Sequence, residues 1–207
     1  MTLVALFLSV SLVGFAAVSQ AAEPSLLPER HLVTELRKGG YILFLRHFQT
    51  DHDQADTDPL HLENVQAQRQ LSDTGRRQAR AVGEAWRAAG IPVGTVLASR
   101  FFRAYESAKL LGVGNIVQSI DVTEGGLVVS PRENQRRAAA LKRLLSEPPP
   151  DGTNMVIVSH RPNLQEAAGL RFGDVGEGEV IVFKPLVNDK FEAVARVPCE
   201  RWKALAE

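Results

Sequence analysis

The sequence predicts an α/β protein: a three-layer α/β/α sandwich around a mostly parallel central sheet. Three observations predict it. Short apolar runs bounded by polar residues read as strands buried on both faces, the mark of a parallel sheet. Segments with helical spacing lie between them, and strands alternating with helices imply a sheet covered on both sides. Near the C-terminus two strand-like runs flank Asn188-Asp189, the pattern of a closing hairpin. With 207 residues, 44% hydrophobic and 23% charged, the chain is long enough for one well-cored domain. Formal net charge is zero. No global field therefore draws it to nucleic acid or an anionic membrane, and any pull on an anionic substrate must be local.

Met1 to Ala22 stands apart. It has no charged side chain, a long apolar stretch from Leu3 to Val18, and small residues at Ser19, Ala21 and Ala22 before Glu23-Pro24. This is the pattern of a secretory signal peptide over residues 1–22, cleaved after Ala21 or Ala22, although no Lys or Arg marks its start. The apolar length is marginal for spanning. A periplasmic or secreted protein follows, with no stable membrane insertion after leader cleavage; an uncleaved anchor or a buried N-terminal helix are the competing readings. The domain runs over 29–207.

Glu29 to Lys38 has helical spacing of Leu32, Val33 and Leu36, and Gly39-Gly40 stops it. Tyr41 to Arg46 is the first strand. His47 to Gln70 lacks apolar periodicity and is dense in Asp, His and Gln, which predicts a long loop over the crevice. Ser72 caps a helix through Ala89, with Ala81, Ala85, Trp86 and Ala88 on or near its apolar side and Gly90 ending it. Thr95 to Ala98 is a strand, Phe101 to Leu111 a helix closed by Gly112, and Asn115 to Val117 a short strand. Pro131 to Leu145 is helical, with Arg136, Arg137, Lys142 and Arg143 mostly on the solvated side, and Pro148-Pro149-Pro150 is a rigid exit. Met155 to Ser159 is the next buried strand and Asn163 to Gly169 a short helix. Glu179 to Phe183 and Phe191 to Val197 form the hairpin. Cys199 is the only cysteine, so there is no internal disulfide and no Cys-rich metal site.

The chemistry gathers where strands end. Ligands of open α/β sheets bind beyond the carboxyl ends of the strands. His47 follows the first strand and adjoins Arg46; His160 follows Val158-Ser159; Arg103 opens a helix just after Val96-Leu97-Ala98-Ser99. A histidine beside an arginine resists protonation, and a neutral imidazole is a competent nucleophile towards phosphorus. Arg46 can hold two phosphoryl oxygens in its planar fork. Arg103, at a strand-to-helix turn, has helix N-terminal amides beside it that favour an anion. His160 can donate to a phosphoryl oxygen, and Thr50 can add a hydroxyl donor. Two imidazoles and two guanidiniums on one crevice describe a phosphoryl site.

These segments carry a family resemblance. Leu45-Arg46-His47-Phe48-Gln49-Thr50 resembles the Arg-His motif of the histidine phosphatase superfamily, branch 1, the phosphoglycerate-mutase-like branch. Leu71-Ser72-Asp73-Thr74-Gly75-Arg76-Arg77-Gln78-Ala79 resembles its Leu-Ser-x-x-Gly-x-x-Gln-Ala stretch. Ser99-Arg100-Phe101-Phe102-Arg103-Ala104 is similar to its second arginine motif, and Val158-Ser159-His160 to its second histidine. The order is the family's, and motif is weighed with context. The resemblance implies a phosphoglycerate-mutase-like fold, His47 as a nucleophile that carries the phosphoryl group, and Arg46, Arg103 and His160 as phosphoryl-binding groups. It implies no metal and no cofactor, and small phosphorylated substrates.

Three residues depart from the family pattern. Phe48 stands where Gly or Ala is common and would narrow the site or face the substrate. Arg100 replaces a frequent Pro. Arg161 replaces a common Gly and is either a further anion contact or a solvated side chain. For a phosphomonoester the resemblance also implies a carboxylic proton donor between the second arginine and the second histidine. Glu124, in Thr123-Glu124-Gly125-Gly126-Leu127, fits best because a glycine-flanked loop can bring it to the crevice. A leaving alkoxide needs that proton, whereas a leaving imidazole hardly does. The alternatives are a phosphohistidine protein phosphatase and a non-catalytic phosphate-binding envelope protein. His52, Asp53, Asp56, Asp58 and His61 include metal-ligand types, but their spacing fits no compact site. The segment reads as an acidic lid that would disfavour highly anionic substrates or recognise a cationic part.

Overall fold

The computed structural model describes residues 26–125 and 128–207; the expected leader and the Gly126-Leu127 pair lie outside the described residues. In chain order the elements are α1 (Glu29–Leu36), β1 (Ile42–Arg46), α2 (Asp73–Ala88), β2 (Val93–Ser99), α3 (Phe102–Leu111) and β3 (Asn115–Ser119). Then come α4 (Pro131–Ser146), β4 (Asn154–Ser159), α5 (Arg161–Ala168), β5 (Val180–Leu186), β6 (Lys190–Val197) and α6 (Trp202–Ala206). The strands form one sheet in the order β3-β2-β4-β1-β5-β6. The first four run parallel, and β5 and β6 close the sheet as an antiparallel hairpin.

Alternation along each strand builds the two outer layers. Leu43 and Leu45 of β1, Val96 and Ala98 of β2, and Val156 and Val158 of β4 share one face with side chains of α1, α2, α3 and α6. Their neighbours Ile42, Phe44 and Ile157 face α4 and α5, packing with Leu141, Leu145 and Leu164. A strand covered on both faces has little place for polar side chains, which is why these runs read as continuous apolar stretches. The chain brings its polar chemistry to the strand ends instead.

Several local expectations are corrected. On α2 the buried residues include Ala79, Val82, Ala85 and Trp86, while Ala81 and Ala88 are exposed. The steps of three and four from Ala79 define that face. α5 starts at Arg161 rather than Asn163, because Pro162 falls in the first turn, where its missing N–H costs nothing. Arg137 of α4 is buried, not solvated: it donates to the Thr123 carbonyl at 3.1 Å and to Glu133 at 2.8 Å. The strands β5 and β6 meet at Asn188 and Asp189, both with positive φ (60° and 53°), a region Asn and Asp tolerate better than most residues. The C-terminal α6 has no counterpart in the sequence reading; its Trp202 stacks edge-on against Trp86 with centroids 5.2 Å apart.

The start of α2 is seated against the segment that follows His47. Ser72 caps the helix by accepting from the Gly75 amide at 3.0 Å, and its hydroxyl donates to the Gln49 carbonyl at 3.2 Å. Gly75 lies so close that a Cβ there would stand 2.0 Å from the Gln49 oxygen. The Leu-Ser-x-x-Gly pattern thus has a mechanical reason: cap and bare glycine let the helix press on the chain two residues beyond His47. Gly75→Ala should lower stability by about 1–3 kcal/mol through overpacking, despite a helix-propensity gain of about 1 kcal/mol. Chemical denaturation checks this; an unchanged or raised midpoint would mean that the approach is not tight.

Candidate active site

Three adjacent parallel strands deliver the site. β1 ends on Arg46, level with Ser159 at the end of β4, and β2 ends beside them on Ser99. One residue past β1 is His47, one past β4 is His160, and Arg103 lies in the first turn of α3 just beyond β2. The two imidazole rings stand 5.3 Å apart, centroid to centroid. They are 2% and 1% exposed, and Arg103 is 2% exposed. The sequence-predicted groups therefore do converge.

Each ring has a defined hydrogen-bonding state. His47 Nδ1 lies 2.9 Å from the Phe48 carbonyl. A carbonyl only accepts, so Nδ1 carries the proton and the lone pair is on Nε2. His160 Nε2 is 2.7 Å from Ser99 Oγ, while its Nδ1 is 3.5 Å from Glu124 Oε2. Beside a carboxylate oxygen the favourable tautomer puts the proton on Nδ1, with the Ser99 hydroxyl donating to Nε2. Ser99 Oγ in turn accepts from the Phe101 amide at 3.2 Å, and the Phe101 ring packs edge-on against His160.

Burial, and then the charges of Arg103 and Arg46, push His47 down to about 3. Burial, then Arg103, hold His160 well below the ordinary histidine range as well. Both rings are neutral at any ordinary working pH. Burial also lowers Arg46 and Arg103 from the usual guanidinium value, although guanidinium remains protonated.

Carboxylates hold the arginines. Asp56 accepts two contacts from Arg103 Nη1, at 3.0 and 3.2 Å. Glu124 Oε2 lies 3.6 Å from Arg103 Nη2. One Glu124 oxygen thus faces both Arg103 and His160. Its loop is fixed from behind, because the preceding Thr123 is fully buried and its carbonyl accepts from Arg137 and from Asn163 at 3.3 Å. Arg46 donates to the Val175 carbonyl at 2.8 Å and contacts Glu177 at 3.5 Å.

Glu177 was not singled out in the sequence. It accepts from the Thr50 hydroxyl at 2.9 Å and from His52 at 3.1 Å. No strand end or motif announces it; the only signal is a lone carboxylate between two glycines before β5. Thr50 therefore spends its hydroxyl on Glu177, positioning Arg46 indirectly, instead of standing free for substrate. Phe48 is corrected: it neither narrows the site nor faces substrate, but is fully buried in the core, beneath Gly178. Arg161 is exposed in the first turn of α5, and its charge reaches Arg46.

The long loop is tied down. Gln68 accepts from the Phe102 amide at 2.7 Å, which pins the loop to the start of α3. Asp58 takes His61 at 2.7 Å and Asn64 at 3.0 Å. Asp51 and Asp58 serve the loop itself, while Asp56 pairs with Arg103 and lines the cleft beside it. Among the described residues, no group of three or more His, Cys, Asp or Glu side chains is placed to hold a metal ion.

The comparisons agree with this geometry. The family model described as histidine phosphatase superfamily (branch 1) matches residues 42–127, from β1 to just past Glu124. Over those residues the chain is similar to that superfamily. No curated protein matches it. The fold is similar to that of the protein histidine phosphatase SixA, solved with tungstate, at 15% identity and a TM-score of 0.55 over 78% of this chain and 98% of that one. The product of open reading frame Rv3214 from Mycobacterium tuberculosis aligns at 18% identity and a TM-score of 0.52, over 76% and 95%. A mycobacterial glucosyl-3-phosphoglycerate phosphatase aligns at 16% and 0.50, over 75% and 98%.

Neutral burial of His47 and His160 makes stability depend on pH. Above about pH 6.5 both rings are neutral in the folded and unfolded chain and contribute no slope. Below it the unfolded chain takes up protons that the folded one refuses, for His47 down to about pH 3, so stability falls as pH falls. Each histidine contributes up to about 1.4 kcal/mol per pH unit well inside that window. Denaturation midpoints should drop between about pH 7 and 5, and His47→Gln should remove about half of the slope. A flat profile over that range would mean that the rings titrate normally.

Proposed function

We propose that the protein hydrolyses phosphate monoesters through a covalent phosphohistidine on His47, without a metal. We further propose that it works in the periplasm or outside the cell after loss of its leader. One observation carries the first reading. Three buried donors on the residues beside His47 have no hydrogen-bond partner among the described residues: Arg46 Nε, Arg103 Nε and His160 Nδ1, the last with only the Glu124 carboxylate at 3.5 Å. Buried donors are normally paired, and a cluster of unpaired ones beside a neutral nucleophile suits an oxyanion.

The steps follow from these groups. His47 Nε2 attacks phosphorus as the ester P–O bond breaks, while its Nδ1–H stays on the Phe48 carbonyl and shares the charge that develops on the ring. Arg46, Arg103 and His160 stabilise the phosphoryl oxygens, so catalysis is positioning plus electrostatics. This is the charge neutralisation a metal would otherwise supply. Glu124, beside both Arg103 and His160, takes up a proton as the anionic substrate replaces it as counter-charge to Arg103, and gives that proton to the departing oxygen. It then takes a proton from the water that attacks phosphorus, the P–N bond breaks, and phosphate leaves.

SixA is described as a protein histidine phosphatase, and a phosphohistidine substrate is the second reading. A leaving imidazole hardly needs a proton. A carboxylate held against His160 by Arg137 and Asn163 behind it favours the ester. A merely phosphate-binding protein would need neither the free lone pair nor the acid.

His47→Ala should abolish p-nitrophenyl phosphate hydrolysis with the fold intact by circular dichroism, and rapid quench of the wild type should trap an acid-labile phosphoenzyme. Turnover retained by the variant would refute the nucleophile. Glu124→Gln should lower kcat/KM for alkyl phosphates by about 10²–10⁴, and far less for p-nitrophenyl phosphate, whose leaving group departs without help. Equal losses on both esters would remove Glu124 from the role of acid.

A further inference from the structure

Arg69 takes no part in the steps above, yet it stands next to them. A cleft of about 300 Å³ opens beside Arg103 and Glu124, with Pro59, Phe101 and Val128 as apolar wall and Arg69 as a further cation. His47 and His160 are not among its lining residues. The cleft thus shares Arg103 and Glu124 with the site and continues from them to Arg69, a place for the part of a substrate beyond the ester oxygen.

The Arg69 guanidinium is held by no ion pair or hydrogen bond among the described residues, and its Nε is buried and unpaired. This is so although Asp56 lines the same cleft. Asp56 accepts from the Arg69 backbone amide at 2.9 Å and gives its carboxylate to Arg103. The loop's other anion nearby, Asp58, is spent on His61 and Asn64. A permanent cation with a buried, unpaired donor is unfavourable by itself. Its charge is close enough to disfavour protonation of Arg46, Arg103 and His160.

We propose that Arg69 binds a second anionic group, a carboxylate or another phosphate, on the leaving group of the substrate. The inference rests on the phosphatase reading and narrows its substrate class. The preferred esters are compact, with a short hydrocarbon stretch against Phe101 and Val128 and a second negative group at the far end. The planar fork of Arg69 can take that group bidentately, which a lysine cannot.

The test compares wild type with Arg69→Gln on three esters: p-nitrophenyl phosphate, a phosphorylated hydroxy acid and an alkanediol bisphosphate. Losing a charge-assisted hydrogen bond should raise KM about 10- to 100-fold more for an ester with the second anion than for p-nitrophenyl phosphate. The carboxylate and bisphosphate arms tell which anion is preferred. Equal losses on all three would place Arg69 on the transferred phosphoryl group and overturn the proposal, as would no loss on any. Calorimetric affinities of the same three esters for His47→Ala and for His47→Ala with Arg69→Gln give the same ratio without turnover. Should the wild type hydrolyse nothing, the phosphatase reading fails while this binding ratio still decides Arg69.

Discussion

Keeping two imidazoles neutral among permanent cations is the constraint on which the site depends. Burial alone disfavours the charged ring, and Arg46 and Arg103 add repulsion. The guanidiniums repel each other too, in surroundings where charges interact more strongly than in water. Three carboxylates answer that repulsion: Glu177 at Arg46, and Asp56 and Glu124 at Arg103. They are not equivalent. Glu177 sits below, bonded to Thr50. Glu124 faces His160 as well as Arg103. Asp56 occupies Nη1 of Arg103, a position a phosphoryl oxygen would also seek, so an arriving substrate competes with the loop for that donor.

The sheet makes this assembly possible. Because β4 lies between β1 and β2, residues far apart in the chain leave neighbouring strand ends side by side, and the crevice forms where the crossovers diverge. The helices are then bolted to the same segments. Ser107 of α3 accepts from the Phe48 amide at 3.2 Å and donates to the Arg103 carbonyl at 2.7 Å, joining the two halves of the site through one hydroxyl. Gly178 donates to the carbonyls of both Arg46 and His47, so the loop that brings Glu177 is tied to the strand end it serves.

What the sequence discloses is whatever short-range pattern controls. The runs at Tyr41–Arg46 and Met155–Ser159, the Ser72 cap, and the polar residues that follow each strand are local signals, and they locate His47, His160 and Arg103 correctly. Glu124, the donor the resemblance implies, is carried by its glycine-flanked loop to His160 and Arg103. Glu177, Arg137 and Arg69 were not legible, because their roles come from partners distant along the chain. Phe48 shows the opposite failure. Its place beside His47 suggested the crevice, but the chain turns there, and the next side chain enters the core beneath Gly178. Arg137 looked solvated on a helix rich in arginine, yet one turn of that helix faces the Thr123 carbonyl, which no periodicity reveals.

The two histidines show how one residue type takes two hydrogen-bonding states. Both are buried, neutral and pressed by the same arginines, so neither charge nor exposure distinguishes them. The difference lies at the nitrogen turned away from the reaction. At His47 that nitrogen meets a carbonyl, which can only accept; it must keep its proton, and Nε2 is left with the lone pair. At His160 it meets the Ser99 hydroxyl, which can donate because it is already accepting from the Phe101 amide. The ring's proton is then free to reside on Nδ1, beside Glu124, and to point at an oxyanion. A ring with its lone pair on Nε2 and a ring with its proton on Nδ1 thus arise from identical side chains, and the choice between them is made by Phe48 and Ser99.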